Sequence, residues 1–279
     1  MLSYKHGYHA GNHSDVLKHI CLIYFLKSIK KHYNSITYVD THSGGSNYNF
    51  NHEYMKKNKE YLTGISKLIK YRTDDPYLRF YTNIIKNINK TSKITFYPGS
   101  PKIINFLTDP KDELYFCELH SNEYKELKKN FSKFSNIKVL KQDGFSLFDN
   151  ININEKKKGI ILIDPSYEIK DDYIKVIKLI NNHYNKFSNK IVIIWYPVLN
   201  RIDTNEYINE FKRTGIQDIL RIEMPIENDK EAKGMTGSGL IILNSHKKTA
   251  QNLRGTVSEL QKCLQTEGNK KRTIVNFLR

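Results

Sequence analysis

The chain has 279 residues, 45 Lys plus Arg against 29 Asp plus Glu, and a net charge of +16 with histidine neutral. That length builds a full core without disulfide or metal staples, and 12% aromatic residues with 39% hydrophobic residues exclude a disordered chain. The charge favours a polyanionic partner through counterion release, and 19 Tyr and 13 Phe offer faces on which bases can stack; a Lys-, Asn-, Ile- and Tyr-rich composition of the kind an AT-rich genome produces is the competing explanation.

Taken in chain order, Ser14 to about Lys31 carries apolar residues at Val16, Leu17, Ile20, Ile23, Tyr24 and Leu26, with Ser14 as cap and Asp15 in the first turn, and predicts an amphipathic helix. Ile36 to Val39 is a strand ending at Asp40 and running into the glycine loop THSGGS. From Asn47 to about Lys93 the chain is rich in Lys, Asn and Tyr and has helical spacing, which predicts a small helical insertion. Strands follow at Glu113 to Cys117, Ile137 to Lys141, Gly159 to Ile163, Ile191 to Trp195, Ile219 to Ile222 and Leu240 to Asn244. Helical periodicity lies between them at Ser121 to Phe134, Tyr173 to Phe187 and Thr204 to Thr214. Strand alternating with helix predicts an α/β fold with parallel strands joined by right-handed crossovers, and runs such as GIILID suit strands buried on both faces. The last thirty residues predict one helix and a basic tail.

Cys21, Cys117 and Cys263 form no CxxC pair, which points to a reducing compartment and excludes a thiolate zinc site. No run approaches eighteen apolar residues and the first residues lack a signal-peptide core, so the expected setting is cytoplasmic with no membrane contact. His6, His9 and His13 precede the first helix at irregular spacing with no completing carboxylate, so no metal is expected.

In an open parallel sheet, ligands bind beyond the carboxyl ends of strands where the strand order reverses. Those ends read Asp40-Thr41-His42-Ser43-Gly44-Gly45, Glu118-Leu119-His120, Asp143-Gly144 and Asp164-Pro165-Ser166-Tyr167. A glycine turn lets backbone N–H groups approach a charged group, a carboxylate such as Glu118 can accept both ribose hydroxyls, and an acid after the third strand can accept from an adenine amine. Any one of these alone is an ordinary turn; the ordered set is informative. The Asp164-Pro165-Ser166-Tyr167 element is the sharpest. An adenine exocyclic amine is a poor nucleophile because its lone pair is delocalised, and the Asp164 carboxylate with the Pro165 carbonyl can accept both N–H groups. Asp164 can then take the released proton, while Tyr167 can stack on the flipped base. The competing reading is a common Asp-Pro turn with an edge aromatic. Trp195-Tyr196-Pro197 could wall the base pocket or simply pack in the core. Lysines at 56–59, 128–129, 156–158 and the basic run 270–272 supply either an RNA footprint or solvated faces.

The opening MLSYKHGYHAGNHSDVLKH, then DTHSGG, YPGSP, ELH, QDG, LIDPSYE, WYPV and KGMTGSGLIILN, in this order up to about Asn244, resemble the RlmJ family of 23S ribosomal RNA adenine-N6 methyltransferases. The resemblance implies a Rossmann-like class I S-adenosylmethionine-dependent methyltransferase, residues 1–46 and 94–279 forming the core and 47–93 an inserted helical subdomain. It implies S-adenosyl-L-methionine as cofactor, held at His19, His42, Ser100, Glu118, Asp143, Gly144 and Asp164 with Lys18 beside them. It implies catalysis at Asp164, with Pro165 and Tyr167, and target-RNA contact at Tyr4. Tyr4, Lys5, His6 and Lys18 are expected to form a polar, cationic lip beside the cofactor where RNA enters, the competing reading being a solvated N-terminal arm. The expected partner is 23S ribosomal RNA, protein-free or in an early assembly intermediate, and the expected state is a monomer. The family's second proline is Ser166 here, which removes a fixed φ of about −65° from the turn, and Gly-Ala-Gly becomes Gly44-Gly45-Ser46. A DNA adenine methyltransferase, or an RNA-binding protein disabled by Ser166, are the alternative functions.

Overall fold

The structure is a computed structural model that describes residues 6–91, 93–199, 201–228 and 234–278. A 3-10 turn at His6–Tyr8 leads into α1 (His13–Lys30). The cap of α1 is Asn12 and not Ser14: Asn12 Oδ1 accepts from the backbone N–H groups of Ser14 and Asp15 at 2.9 and 3.0 Å. Nor is α1 amphipathic in its setting. It is buried on nearly every side, with Ser14, Asp15, Lys18 and His19 inside the protein together with its apolar residues.

After β1 (Thr37–Asp40), the two short strands β2 (Asn47–Asn49) and β3 (Phe96–Pro98) pair antiparallel and bracket three helices, α2 (Glu53–Asn58), α3 (Ile65–Lys70) and α4 (Pro76–Asn89). Asp75 caps α4 by accepting from Tyr77 and Leu78 N–H at 2.9 and 3.0 Å, with Pro76 at the first helical position where its missing donor costs nothing. Ile65, Leu68, Leu78, Tyr81, Ile84 and Ile85 from these helices join one continuous cluster with α1.

The chain continues through α5 (Ser100–Leu107), β4 (Glu113–Cys117), α6 (Ser121–Phe131), β5 (Ile137–Leu140), a 3-10 turn at Gly144–Ser146, α7 (Leu147–Asn150), β6 (Gly159–Ile163), α8 (Asp171–His183), β7 (Lys190–Val198), α9 (Arg201–Arg213), β8 (Leu220–Pro225), β9 (Gly237–Leu243), α10 (Lys248–Leu264) and β10 (Ile274–Phe277). Eight strands form one sheet in the order β10-β8-β9-β7-β6-β1-β4-β5. Along β6 the side chains alternate between faces, Ile160 and Leu162 joining the cluster of α1 and α10, Ile161 and Ile163 joining the cluster of α8 and α9. This is why GIILI reads as an unbroken apolar run.

Strands β5, β4, β1, β6 and β7 are parallel, but β9 runs antiparallel to both β7 and β8, and β10 antiparallel to β8. The all-parallel expectation fails there because residues 226–236 leave too little chain between β8 and β9 for a helical crossover. The C-terminal segment likewise holds a strand as well as the expected helix. The order reverses at β1, with β4 and β5 on one side and β6 and β7 on the other, so the carboxyl ends of β1, β4 and β6 converge. Among the described residues no helix is long and apolar enough to cross a membrane.

Candidate active site

A cavity of about 380 Å³ opens at those carboxyl ends, under the starts of α1 and α5. One half is built from the turns after β1, β4 and β5. Gly44 adopts φ +64°, and its N–H donates to Glu118 Oε2 at 2.8 Å. Glu118 Oε1 accepts from His120 N–H at 2.6 Å, so two backbone donors fix the carboxylate at the cavity wall while each oxygen keeps a lone pair for a ligand. Burial raises the Glu118 carboxyl above its ordinary value, against the pull of those donors. Gly144 sits so close to the first turn that a Cβ would lie 2.1 Å from the Thr41 carbonyl oxygen, which leaves room only for glycine. Asp143 is held by the Phe145 N–H, donated to Oδ1 at 3.0 Å, and the Phe145 ring meets His42 edge-on at 4.9 Å.

Two of the histidines lining the cavity, His42 and His19, are held in the neutral form. Burial pushes His42 down to about 4, and its Nδ1 lies 2.7 Å from Thr41 Oγ1. Burial pushes His19 down to about 3; its ring stacks on Tyr97 at 5.6 Å and its Nδ1 lies 2.7 Å from the Tyr97 hydroxyl, which in turn meets Tyr81 at 2.8 Å. Ser100 Oγ donates to Asp40 Oδ2 at 2.6 Å, and the Tyr38 hydroxyl donates to the same oxygen at 3.0 Å. Burial raises Asp40 to about 6.

The other half is a chain of charges leading to Asp164 at the end of β6. Lys18 Nζ donates to Asp164 Oδ2 and, at 2.8 Å, to Asp15 Oδ1; Asp15 Oδ2 lies 3.0 Å from His6 Nε2 and accepts from Gly11 N–H at 2.9 Å. Burial would push the Lys18 ammonium down, but the two carboxylates outweigh it and hold its pKa above the ordinary value. Burial would likewise raise Asp15, but His6 and Lys18 hold it well below the usual carboxylate range. His6 is opposed by burial and raised on balance by Asp15. The result is a buried ammonium fixed beside the carboxylate that the sequence singles out.

His6, Lys18, His19, His42, Ser100, Glu118, Asp143, Gly144, Asp164 and Pro165 all line this cavity. Tyr167 does not. It takes φ +51°, its ring packs on Tyr173 at 4.4 Å and Trp195 at 5.7 Å, and its hydroxyl donates to the Trp195 carbonyl at 2.7 Å. It is a buried anchor under the Asp164-Pro165-Ser166 turn and not a face turned to a ligand. Tyr4 and Lys5 lie outside the described residues. His9 Nδ1 lies 2.8 Å from Glu60 Oε1, burial lowers His13 to about 4, and among the described residues no three His, Cys, Asp or Glu are grouped to hold a metal. Trp195 Nε1 donates to Ser238 Oγ at 2.8 Å and the Tyr196 hydroxyl to Glu223 Oε2 at 3.2 Å, so these two aromatics pack within the sheet away from the cavity. The cavity also contains Leu119, Phe145 and Lys175, which sequence reasoning does not single out. Phe145 follows Asp143-Gly144 directly, and an aromatic residue just past a strand-end glycine was the available signal; Lys175, from the second turn of α8, has none.

A doubly covered sheet with its order reversing at β1, a carboxylate held for a diol after β4, a glycine forced by close approach after β5 and an acid followed by a cavity-lining proline after β6 define a class I S-adenosylmethionine-dependent methyltransferase. The sequence model of the family described as "Ribosomal RNA large subunit methyltransferase D, RlmJ" matches residues 33–275. The chain is 37% identical over 276 residues to the ribosomal RNA large subunit methyltransferase J of Escherichia coli (strain K12), covering 98% of each, and the same figures hold for the protein of that name from Haemophilus influenzae. A crystal structure of a protein from Legionella pneumophila superposes with a TM-score of 0.83 at 33% identity, over 97% of this chain and 98% of that one. The chain belongs to the RlmJ family of ribosomal RNA large subunit methyltransferases.

Proposed function

We propose that the chain transfers a methyl group to N6 of an unpaired adenine in 23S ribosomal RNA, using S-adenosyl-L-methionine. The observation that carries this is the placement of Asp164 and Pro165 in the same cavity as the Glu118 and Gly144 shell, with Asp164 tied to buried Lys18. The shell fits the cofactor: Glu118 for the ribose hydroxyls, Asp143 and the Phe145 ring for the adenine, His19, His42 and Ser100 for the remaining polar groups. S-adenosylmethionine supplies a methyl group on a sulfonium, an electrophile that needs no activation by the protein. The protein's task is therefore to position the amine and manage its proton.

Lys18 holds the Asp164 carboxylate in place, so that it accepts one N–H of the target amine while the Pro165 carbonyl accepts the other, drawing the lone pair out of the ring. Asp164 then takes the proton that the methylated nitrogen sheds, with no raised pKa required because that nitrogen is strongly acidic. Tyr167 acts as a positioning residue that pins the turn from below. His6 lines the side of the cavity where RNA enters, and an unpaired adenine costs least to extract from its stack. Residues 47–93 act as an inserted helical subdomain beside this entrance, and its lysines at 56–59 face phosphate. On this reading the chain works as a monomer in the cytoplasm, on protein-free or early-assembly RNA.

The test is transfer of labelled methyl to protein-free large-subunit ribosomal RNA and, in parallel, to duplex DNA, followed by nucleoside analysis. N6-methyladenosine in RNA alone is expected, with Asp164→Ala inactive but still binding cofactor. Methylation of DNA instead would replace the substrate, and transfer by Ser166→Pro but not by the natural sequence would make the chain an RNA binder with a disabled turn.

A further inference from the structure

A second concavity, of about 810 Å³, lies at the other edge and the other end of the sheet. Helix α9 turns Asn205, Asn209 and Lys212 toward it, and α10 with its leading residue presents Lys247, Gln251 and Arg254 at the same i, i+4, i+7 spacing. Its floor is Arg221 of β8 and Phe277 of β10. Phe277 pairs with Leu220, at the start of β8, and Leu243 at the end of β9 pairs with Val192 near the start of β7. The floor and the start of α10 therefore sit at the amino ends of the parallel strands, whereas Asp164 sits beyond a carboxyl end.

Among the described residues no carboxylate lines this groove. Glu206 and Glu210 of α9 fall off the stripe, and Glu210 is paired with Arg213. Glu223 lies behind Arg221 and is taken up by Arg221 at 2.5 Å and Arg201 at 2.6 Å. Among the described residues Lys212, Lys247 and Arg254 have no carboxylate within ion-pair distance, and Arg221 Nε is buried without a hydrogen-bond partner. Three cations without an acid partner, Lys212, Lys247 and Arg254, together with amide donors and an aromatic edge, match a phosphodiester backbone, since phosphate oxygens take most protein–nucleic acid hydrogen bonds from such side chains.

We propose that this groove is a second docking site for substrate RNA, holding a backbone segment remote from the methylated base. The proposal rests on the RNA-methyltransferase reading above. Since the two sites occupy opposite ends of the sheet, only a long or folded RNA reaches both; a short fragment spanning the target engages Asp164 alone. Recognition of a large RNA is thereby divided between a reading site and a holding site.

The experiment compares the natural chain with a Lys212→Ala, Lys247→Ala, Arg254→Ala variant on protein-free large-subunit ribosomal RNA at several salt concentrations. Removing three phosphate contacts lowers the salt slope by about 2, so between about 50 and 200 mM salt the variant loses about 20-fold less affinity than the natural chain. KM for the long RNA rises while kcat, KM for S-adenosylmethionine and turnover of a short fragment recovered around the methylated nucleotide stay unchanged. Arg254 also donates to the Val275 carbonyl at 2.9 Å, so the Lys212→Ala, Lys247→Ala pair serves as a variant that leaves β10 tethered, with an expected difference of about 7-fold. An unchanged slope, or an equal fall on replacing the exposed Lys31, Lys93 and Lys133 by Ala, overturns the proposal. Should the natural chain methylate no ribosomal RNA, the functional reading fails, while the binding slope still decides whether the groove holds RNA.

Discussion

Replacing Lys18 by Met tests the charge chain that carries the mechanism. The Lys18 side chain is 5% exposed and lies between Asp15, 2% exposed, and Asp164, 11% exposed. Met fills the volume of the stem but strands the carboxylates. Asp15 keeps His6 and the Gly11 N–H, so most of the loss falls on Asp164. Breaking a buried pair from one side costs about 3–5 kcal/mol, which for a chain of this size lowers Tm by about 6–20 °C. Adding Asp164→Asn removes the stranded charge and should restore more than half of that loss. The pH dependence has a definite sign. Lys18 is held above its ordinary value, so its contribution is fully present below about pH 10.5, and Asp15, held below its ordinary value, contributes until pH falls through that lowered value. In the Lys18→Met variant the buried Asp164 carboxylate has lost its counter-charge, and protonation removes that unpaired charge, so the gap in stability from the natural chain narrows as pH falls. Denaturant unfolding from pH 5 to 9 reads that gap. A loss below about 1 kcal/mol, or a gap that widens as pH falls, would refute the account.

Gly144→Ala places a Cβ 2.1 Å from a backbone oxygen and 2.9 Å from His42 Cε1, so calorimetric titration should show S-adenosylmethionine affinity falling by more than about tenfold; retained affinity would mean that the two turns part without cost. His13 and His42 are lowered to about 4 and His19 to about 3, so the unfolded chain takes up protons first and stability falls as pH drops below about 6.5. Urea unfolding at pH 7 and 5 should show this fall, and it should be smaller in His42→Asn. Gly239→Ala drives a Cβ to within 2.0 Å of the Tyr196 ring, an overpacking worth about 1–3 kcal/mol; Tyr196→Leu should recover part of it in a thermal melt.

Much of the core was legible because its strands are long, apolar and separated by helical periodicity. Glu113–Cys117 and Gly159–Ile163 appear with the bounds that the sequence predicts. What the sequence hid was pairing decided at a distance. β2 and β3 are three residues each, far apart in the chain, and carry no signal until they meet. β10 is a four-residue edge strand in a basic tail. The direction of β9 depends on the shortness of the chain between β8 and β9, which periodicity of the flanking strands does not report. At the site, the strand-end residues were readable because topology places strand ends together. Tyr167 was misread as facing a base because sequence gives its position after Pro165 but not the left-handed φ that turns its ring inward. Lys18 was placed near the cofactor by resemblance; its double pairing follows from the burial of α1, which the apolar stripe of that helix understates.

The burial of α1 also dictates the order in which the site can mature. The helix that delivers Lys18 and His19 is made first, yet the surfaces that enclose it come from residues such as Leu78, Tyr81, Ile84, Leu253, Val257 and Leu260. During synthesis from the amino end, the first helix must wait with its apolar sides exposed until α10 has been made. The helix carrying the ammonium that holds Asp164 is therefore fully enclosed only when nearly the whole chain is available, and a chain interrupted before α10 would have every residue of the catalytic turn while one side of α1 stayed uncovered.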